Sequence, residues 1–125
     1  MVEEVLPDEL RYKLLKRLKQ NPDISQRELA EVIGISLGKT NYCIKALIDA
    51  GWVKVGNFAQ SQQKLGYAYF LTPKGIREKA EVTVRFLKQK QIQFEQLEHE
   101  IIALKQEAKK QAPNSSEESY INDSH

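Results

Sequence analysis

Residues 25–51 read SQRELAEVIGISLGKTNYCIKALIDAG, and this stretch decides the fold. Ser25-Gln26-Arg27-Glu28 has the form of a capping box, in which the serine hydroxyl and the glutamate carboxylate each satisfy a backbone amide that the first helical turn leaves without a partner. The helix opened there turns Leu29, Val32 and Ile33 inward and stops at Gly34, because glycine tolerates the positive φ of a sharp turn. Ser36 follows after one apolar residue, Ile35, and caps a further helix that buries Ile44, Leu47 and Ile48 and ends at Gly51. Two short helices therefore meet across a turn of about three or four residues.

On the N-terminal side, Asp8 after Pro7 is placed to cap a helix carrying Leu10, Leu14, Leu15 and Leu18, which ends near Asn21-Pro22 because proline disfavours helical geometry in the residue before it. On the C-terminal side, Trp52-Val53-Lys54-Val55 and Tyr67-Ala68-Tyr69-Phe70-Leu71 are β-branched and aromatic, with a polar stretch between them that includes Asn57, Gln60, Lys64 and Gly66. They predict an antiparallel hairpin with a long, wet tip. Thr72-Pro73 is a strong helix start, and the absence of proline until Pro113 lets that helix run to about Gln111. Residues 112–125, which include Pro113-Asn114-Ser115-Ser116, have little to pack and are expected to be a disordered tail.

The order helix, helix, turn, helix, hairpin, helix is that of a winged helix-turn-helix. The expected fold is mainly α with a small β-hairpin: a winged helix-turn-helix domain over 8–75, then a long C-terminal helix over 76–111 that first docks and then forms a dimerising coiled coil. With 125 residues, the chain allows one domain and an appendage. Apolar residues make up 41% and charged ones 29%, which supports a compact core. No apolar run approaches the ~18 residues that cross a bilayer, and Glu3 and Glu4 stand where a signal peptide would be basic. These features predict a cytoplasmic chain with no membrane partner. One cysteine, Cys43, and two histidines, His99 and His125, leave no disulfide framework and no usual zinc set, so neither metal nor cofactor is expected.

The net charge of +2 hides an asymmetry: residues 1–9 carry four acids and no base, residues 10–90 carry 16 bases and six acids, and residues 91–125 carry three bases and seven acids. A basic body between acidic ends suits a densely anionic partner, above all double-stranded DNA, whose condensed counterions are released when Lys or Arg neutralises phosphate. The third helix can enter a major groove and the hairpin can reach the groove beside it. Thr40, Ile44, Leu47 and Ile48 share its inner face, which leaves Gly38, Lys39, Asn41, Tyr42 and Lys45 on or near the outer one. Asn41 has the donor and acceptor for an adenine edge, Lys39 or Lys45 for guanine or phosphate, and Tyr42 for phosphate or a thymine methyl. Gly38 either lets the backbone approach the duplex or relaxes the turn. Gln26 and Arg27, at the start of the preceding helix, are placed beside the phosphate backbone, and Lys64 in the hairpin tip is a further phosphate contact. Trp52 reads as a core anchor and Cys43 as a packing residue.

From Ile76 the long helix repeats in steps of four and three through Ala80, Thr83, Leu87, Lys90, Phe94, Leu97, Ile101, Leu104 and Ala108, the period of a coiled-coil seam. Its first part, broadened by Val84 and Phe86, is expected to dock on its own domain. Beyond Lys90 the stripe narrows to Phe94, Leu97, Ile101 and Leu104, a row that one helix cannot bury alone, so a homodimer is expected. Glu100 would face the partner's Lys105 in a parallel pairing, but one such pair does not fix the direction.

Gln26-Arg27-Glu28-Leu29-Ala30, Ile35-Ser36, Leu47-Ile48-Asp49-Ala50-Gly51-Trp52-Val53 and Tyr69-Phe70-Leu71-Thr72-Pro73-Lys74-Gly75 together resemble the MarR-type winged-helix regulators of bacteria. Leu37-Gly38-Lys39-Thr40-Asn41-Tyr42-Cys43, with Gly51-Trp52-Val53-Lys54 and Asn57-Phe58, is similar to the subgroup described as exopolysaccharide-associated transcriptional regulators. The resemblance implies a dimeric, sequence-specific DNA-binding regulator of exopolysaccharide genes, with Ser36 to Lys45 as the recognition segment and the strands around Lys64 as the wing. Ser61-Gln62-Gln63-Lys64 lacks the family's aspartate and the arginine two residues later, so different wing contacts are expected. The longer N-terminal helix of ordinary members is also missing, which leaves the dimer to the C-terminal helix and a small-molecule effector open.

The rival reading is a protein-interaction adaptor, since winged helices serve in that role too. An adaptor would expose an apolar patch, whereas this third helix offers Lys39, Asn41, Tyr42 and Lys45. No catalytic activity is expected: Cys43 has no histidine near it in sequence, and neither a glycine-rich phosphate loop nor a metal-ligand cluster occurs.

Overall fold

The computed structural model describes residues 6–57 and 67–111. In chain order the elements are α1 (Asp8–Gln20), α2 (Gln26–Ile33), α3 (Leu37–Asp49), β1 (Val53–Asn57), β2 (Tyr67–Leu71) and α4 (Pro73–Gln111). This is a winged helix-turn-helix followed by a long helix. Two compact units are distinguished, the first ending at Leu87 and the second beginning at Lys88.

The helix boundaries follow local chemistry. Ser25 caps α2 through a complete capping box, its hydroxyl accepting from the Glu28 amide at 3.0 Å. Gly34 closes that helix in the left-handed region at φ +86°, and Gly51 turns the chain after α3 at φ +80°. Ser36 caps α3, accepting from the Lys39 amide at 3.0 Å. Thr72 caps α4: its hydroxyl accepts from the Gly75 amide at 3.0 Å and donates to the Gly51 carbonyl at 2.6 Å. Asp8 behaves differently from the expectation. Pro7 occupies the cap position of α1 without a side-chain bond, and the Asp8 carboxylate accepts from Arg85 Nε at 3.3 Å instead.

One apolar core organises the first unit. Leu14, Leu15 and Leu18 of α1, Leu29 of α2, Cys43, Ile44 and Leu47 of α3, Val53 of β1 and Val82 of α4 pack together with Leu6 and Ile24. Each large aliphatic side chain so buried contributes roughly 1.5–3 kcal/mol. Trp52, Tyr69 and Leu71 pack against this core from the wing. Val32, expected inside, is 47% exposed, because the core stripe of α2 is taken by Leu29 and Ala30.

The wing is an antiparallel pair in which Val53 faces Leu71, Val55 faces Tyr69 and Asn57 faces Tyr67. Its outer strand is also tied to the loop before α2: the Tyr69 amide donates to the Pro22 carbonyl at 2.9 Å. That bond ties β2 to the loop between α1 and α2 and bears directly on the site described below. The hairpin tip, with Lys64, lies outside the described residues, as does the tail over 112–125.

The start of α4 docks on its own unit, but not along the heptad stripe. Gly75 and Val82 are buried and Glu78, Arg85 and Phe86 are partly so, whereas Ile76, Val84 and Leu87 remain exposed. Docking selects the 75-78-82-85 stripe for two reasons. Gly75 lets the helix approach the Trp52 backbone, and Glu78 and Arg85 find charged partners on α1. Phe86 stacks on Tyr12 with ring centroids 5.1 Å apart. The compact unit that includes this docked part extends to Leu87.

The second unit, taken by itself, is a helix from Lys88 to Gln111, with Phe94, Leu97, Ile101 and Leu104 exposed along the seam positions. Among the described residues, no helix is long and apolar enough to cross a membrane.

Candidate nucleic-acid interface

The outer face of α3 is built by what its inner face takes. Thr40, Cys43, Ile44 and Leu47 are buried, which fixes the rotation of the helix. Thr40 also returns its hydroxyl to the Ser36 carbonyl at 2.9 Å, so its polar group is satisfied locally. The opposite face then carries Gly38, Lys39 and Lys45, all exposed, and Tyr42, which is 62% exposed. Two cations and a phenol on one solvent-facing helix surface form a row of hydrogen-bonding groups. Lys39 lies in the first turn of the helix, where the positive end of the backbone dipole also favours an anion.

Among the described residues, nothing lies within 4 Å of a Cβ placed at Gly38, and its φ is not in the left-handed region. The glycine is thus required neither by the turn nor by packing within the unit.

Ser36 is exposed, with its oxygen engaged as the cap of α3, and its hydroxyl hydrogen is still available to donate. Arg27 is exposed on the first turn of α2. Gln26 and Asn41 are placed differently from the other candidates. Both are half-buried and bonded to each other, Asn41 Nδ2 donating to Gln26 Oε1 at 3.1 Å. Gln26 Nε2 in turn donates to the Tyr69 hydroxyl at 2.9 Å. Sequence reasoning did not single out Tyr69. Its one advance signal is strand alternation, which puts Tyr67 and Tyr69 on the same side of β2. A recess of about 200 Å³ opens here between α3 and the wing, with Asn41, Lys45, Ile48, Val55 and Tyr67 on its walls.

Cys43 sits inside, beneath this face. Burial pushes its thiol above the ordinary value, against the smaller opposing pull of Lys39. A thiol held protonated is a poor nucleophile, which agrees with a packing role. Trp52 also belongs to the interior, its ring covered by the Arg11 guanidinium at 4.7 Å.

Residues 7–54 match the family model described as winged helix-turn-helix DNA-binding. No curated protein matches the chain. Among solved structures, the chain is similar to a MarR transcriptional regulator from Methanosarcina mazei Go1, with a TM-score of 0.56 and 20% identity over 90% of this chain and 69% of that one. It is also similar to the transcriptional regulator SlyA, with a TM-score of 0.57 and 19% identity over 80% of this chain and 75% of that one. A third similar structure is the PcaV transcriptional regulator from Streptomyces coelicolor in complex with its natural ligand, with a TM-score of 0.56 and 20% identity over 78% of this chain and 73% of that one. At such identities the likeness is one of fold. The chain is a winged helix-turn-helix protein, and its fold is shared with MarR-type transcriptional regulators.

Proposed function

We propose that this chain is a sequence-specific, double-stranded-DNA-binding transcriptional regulator that acts as a homodimer. The observation that carries the reading is the exposed outer face of α3, where Gly38, Lys39, Tyr42 and Lys45 stand clear of the core. An α-helix with this face fits the width of the major groove, and its polar groups match what base edges and phosphates offer. Lys39 and Lys45 contact guanine or phosphate, Tyr42 a phosphate or thymine methyl, and Asn41 an adenine edge. Ser36 and Arg27 flank this segment as phosphate contacts. Lys64 is assigned the same role from the wing on its sequence position alone. The polarity of the face weighs against a protein-interaction adaptor, and the match of residues 7–54 to a DNA-binding family model supports the same conclusion. The narrower resemblance of Leu37 to Cys43 points to exopolysaccharide genes as targets.

Replacing Asn41 or Lys45 by alanine is expected to lower affinity for a cognate duplex by about 1–3 kcal/mol while the protein remains folded. Fluorescence anisotropy with a labelled duplex measures the loss, and equal binding by both variants would remove α3 from the reading role.

The dimer rests on Phe94, Leu97, Ile101 and Leu104, which are exposed on the second unit at seam spacing. Two reading helices at a fixed separation recognise an inverted repeat and multiply a weak half-site affinity. Truncation after Lys90 is expected to convert the dimer to a monomer, so that light scattering reads the mass of one shortened chain. The mass of two shortened chains would refute the role of this helix.

A further inference from the structure

The hydrogen-bond chain from α3 through α2 to the wing reassigns two residues. We propose that Gln26 and Tyr69 are positioning residues for base recognition: they set the orientation of the Asn41 amide, and through it the base preference at one position of each half-site. This rests on the reading of α3 as the element that lies against DNA.

The donor count supports the inference. The Asn41 amide nitrogen has two hydrogens, of which one goes to Gln26 Oε1 at 3.1 Å. What remains on Asn41 is a carbonyl oxygen and one N–H, the acceptor and donor that match N6–H and N7 of adenine. An asparagine with no internal partner rotates between two orientations, and only one presents this pair. The bond to Gln26 selects between them before DNA arrives, so less ordering is lost on binding. Gln26 itself is held from the other side, since its Nε2 donates to the Tyr69 hydroxyl at 2.9 Å. Tyr69 is anchored through its own backbone, its amide donating to the Pro22 carbonyl at 2.9 Å. The chain therefore runs from a fixed strand to a side chain on the reading helix. It also leaves the Tyr69 hydroxyl hydrogen to donate elsewhere. Gln26 thus acts inward, through Asn41, rather than on the phosphate backbone.

The test uses the full chain with Gln26→Met, which keeps length and helix propensity, and Tyr69→Phe, which keeps the ring. Each is titrated against the duplex recovered by selection from genomic DNA, and against duplexes in which every base pair is changed singly. The expected result is that Gln26→Met lowers discrimination by about tenfold at one base-pair position, the same one that Asn41→Ala flattens. Tyr69→Phe should give a smaller loss at that position. The salt dependence should stay as in the wild type, since no phosphate contact is removed. Adding Gln26→Met to Asn41→Ala should cost nothing more there. Loss of affinity spread evenly over all positions, or discrimination equal to wild type, would overturn the proposal while leaving DNA reading by α3 intact. If the wild-type protein itself discriminates among no duplexes, the reading on which the proposal rests falls, and the proposal with it.

Discussion

Glu78→Ala is expected to lower the unfolding free energy by about 3–5 kcal/mol. The reason is the company Glu78 keeps. Arg11 Nη1 lies 2.6 Å from its carboxylate, and both side chains are nearly buried, at 6% and 12% exposure. The same guanidinium donates to the Leu6 carbonyl at 3.0 Å, while its buried Nε has no hydrogen-bond partner among the described residues. Among the described residues, the carboxylate that Arg11 pairs with is that of Glu78. Removal of that carboxylate leaves a desolvated cation whose remaining support is one carbonyl and the face of Trp52. Arg85 also reaches Glu78, at 3.0 Å, but it is 42% exposed, so this second bridge contributes at most about 1 kcal/mol. Burial pulls the Arg85 pKa down, yet Glu78 and Asp8 together outweigh that and hold it above its ordinary value. Urea denaturation measures the loss directly. Replacing Arg11 and Glu78 together by methionine and leucine should recover most of it, because the cost lies in the unpaired charge rather than in the absent bridge. A loss below about 1 kcal/mol for Glu78→Ala would mean that water reaches Arg11 and that the cluster is not structural.

Gly75→Ala is expected to destabilise by about 3 kcal/mol, against the ~1 kcal/mol that alanine normally gains over glycine in a helix. A Cβ on residue 75 would lie 1.9 Å from the Trp52 carbonyl oxygen and 2.8 Å from its carbonyl carbon. Backbone atoms cannot step aside as a side-chain tip does. The Trp52 oxygen is, moreover, already fixed by the Thr72 amide at 3.0 Å, and Trp52 N–H is fixed by the Leu47 carbonyl. The start of α4 must then lift off β1, which loosens the cap at Thr72 and the Lys74 bond to the Ala50 carbonyl. Gly38→Ala is the internal comparison: it is equally helical, with open space around it, and should raise stability by up to about 1 kcal/mol. Thermal unfolding of the two variants side by side separates the effects. If both shift Tm in the same direction, the close approach of α4 to Trp52 is not what holds the junction.

The parts of the fold that were legible beforehand are those decided within a few residues. Ser25 with Glu28, Ser36, Thr72-Pro73, Gly34 and Gly51 each act on their own turn, so their types and spacing were enough to place α2, α3 and the start of α4. Groups whose partners lie far along the chain were not legible. Arg11 and Glu78 are separated by 67 positions, and nothing local tells a buried arginine from a surface one. A signal was present: Arg11 shares the inward stripe of Leu14, Leu15 and Leu18, and a charge on an apolar stripe asks for a buried partner. The position of Asp8 fits a cap, but tertiary pairing with Arg85 prevails over that local option. On α4, the seven-residue period continues through the docked part, so the sequence carries the seam over Ile76 and Leu87. The core instead took the neighbouring stripe that Gly75 and Val82 open.

In the candidate site, the helical period was enough to separate Lys39, Tyr42 and Lys45 from Thr40, Ile44 and Leu47. It could not show that Asn41 and Gln26 would meet across the helix-turn-helix, since that depends on the packing of α2 against α3. Nor could it bring in Tyr69, which reaches them only through the pairing of β2 with the Pro22 loop.

Selection of bound fragments from genomic DNA, run in parallel with the wild-type protein and Lys45→Ala at two salt concentrations, tests most directly whether the outer face of α3 reads DNA. The wild type should enrich fragments that share one sequence, an inverted repeat, and keep them at the higher salt. Lys45→Ala should lose that enrichment while still unfolding cooperatively. No shared sequence for the wild type, or the same sequence recovered equally well by the variant, would contradict the account.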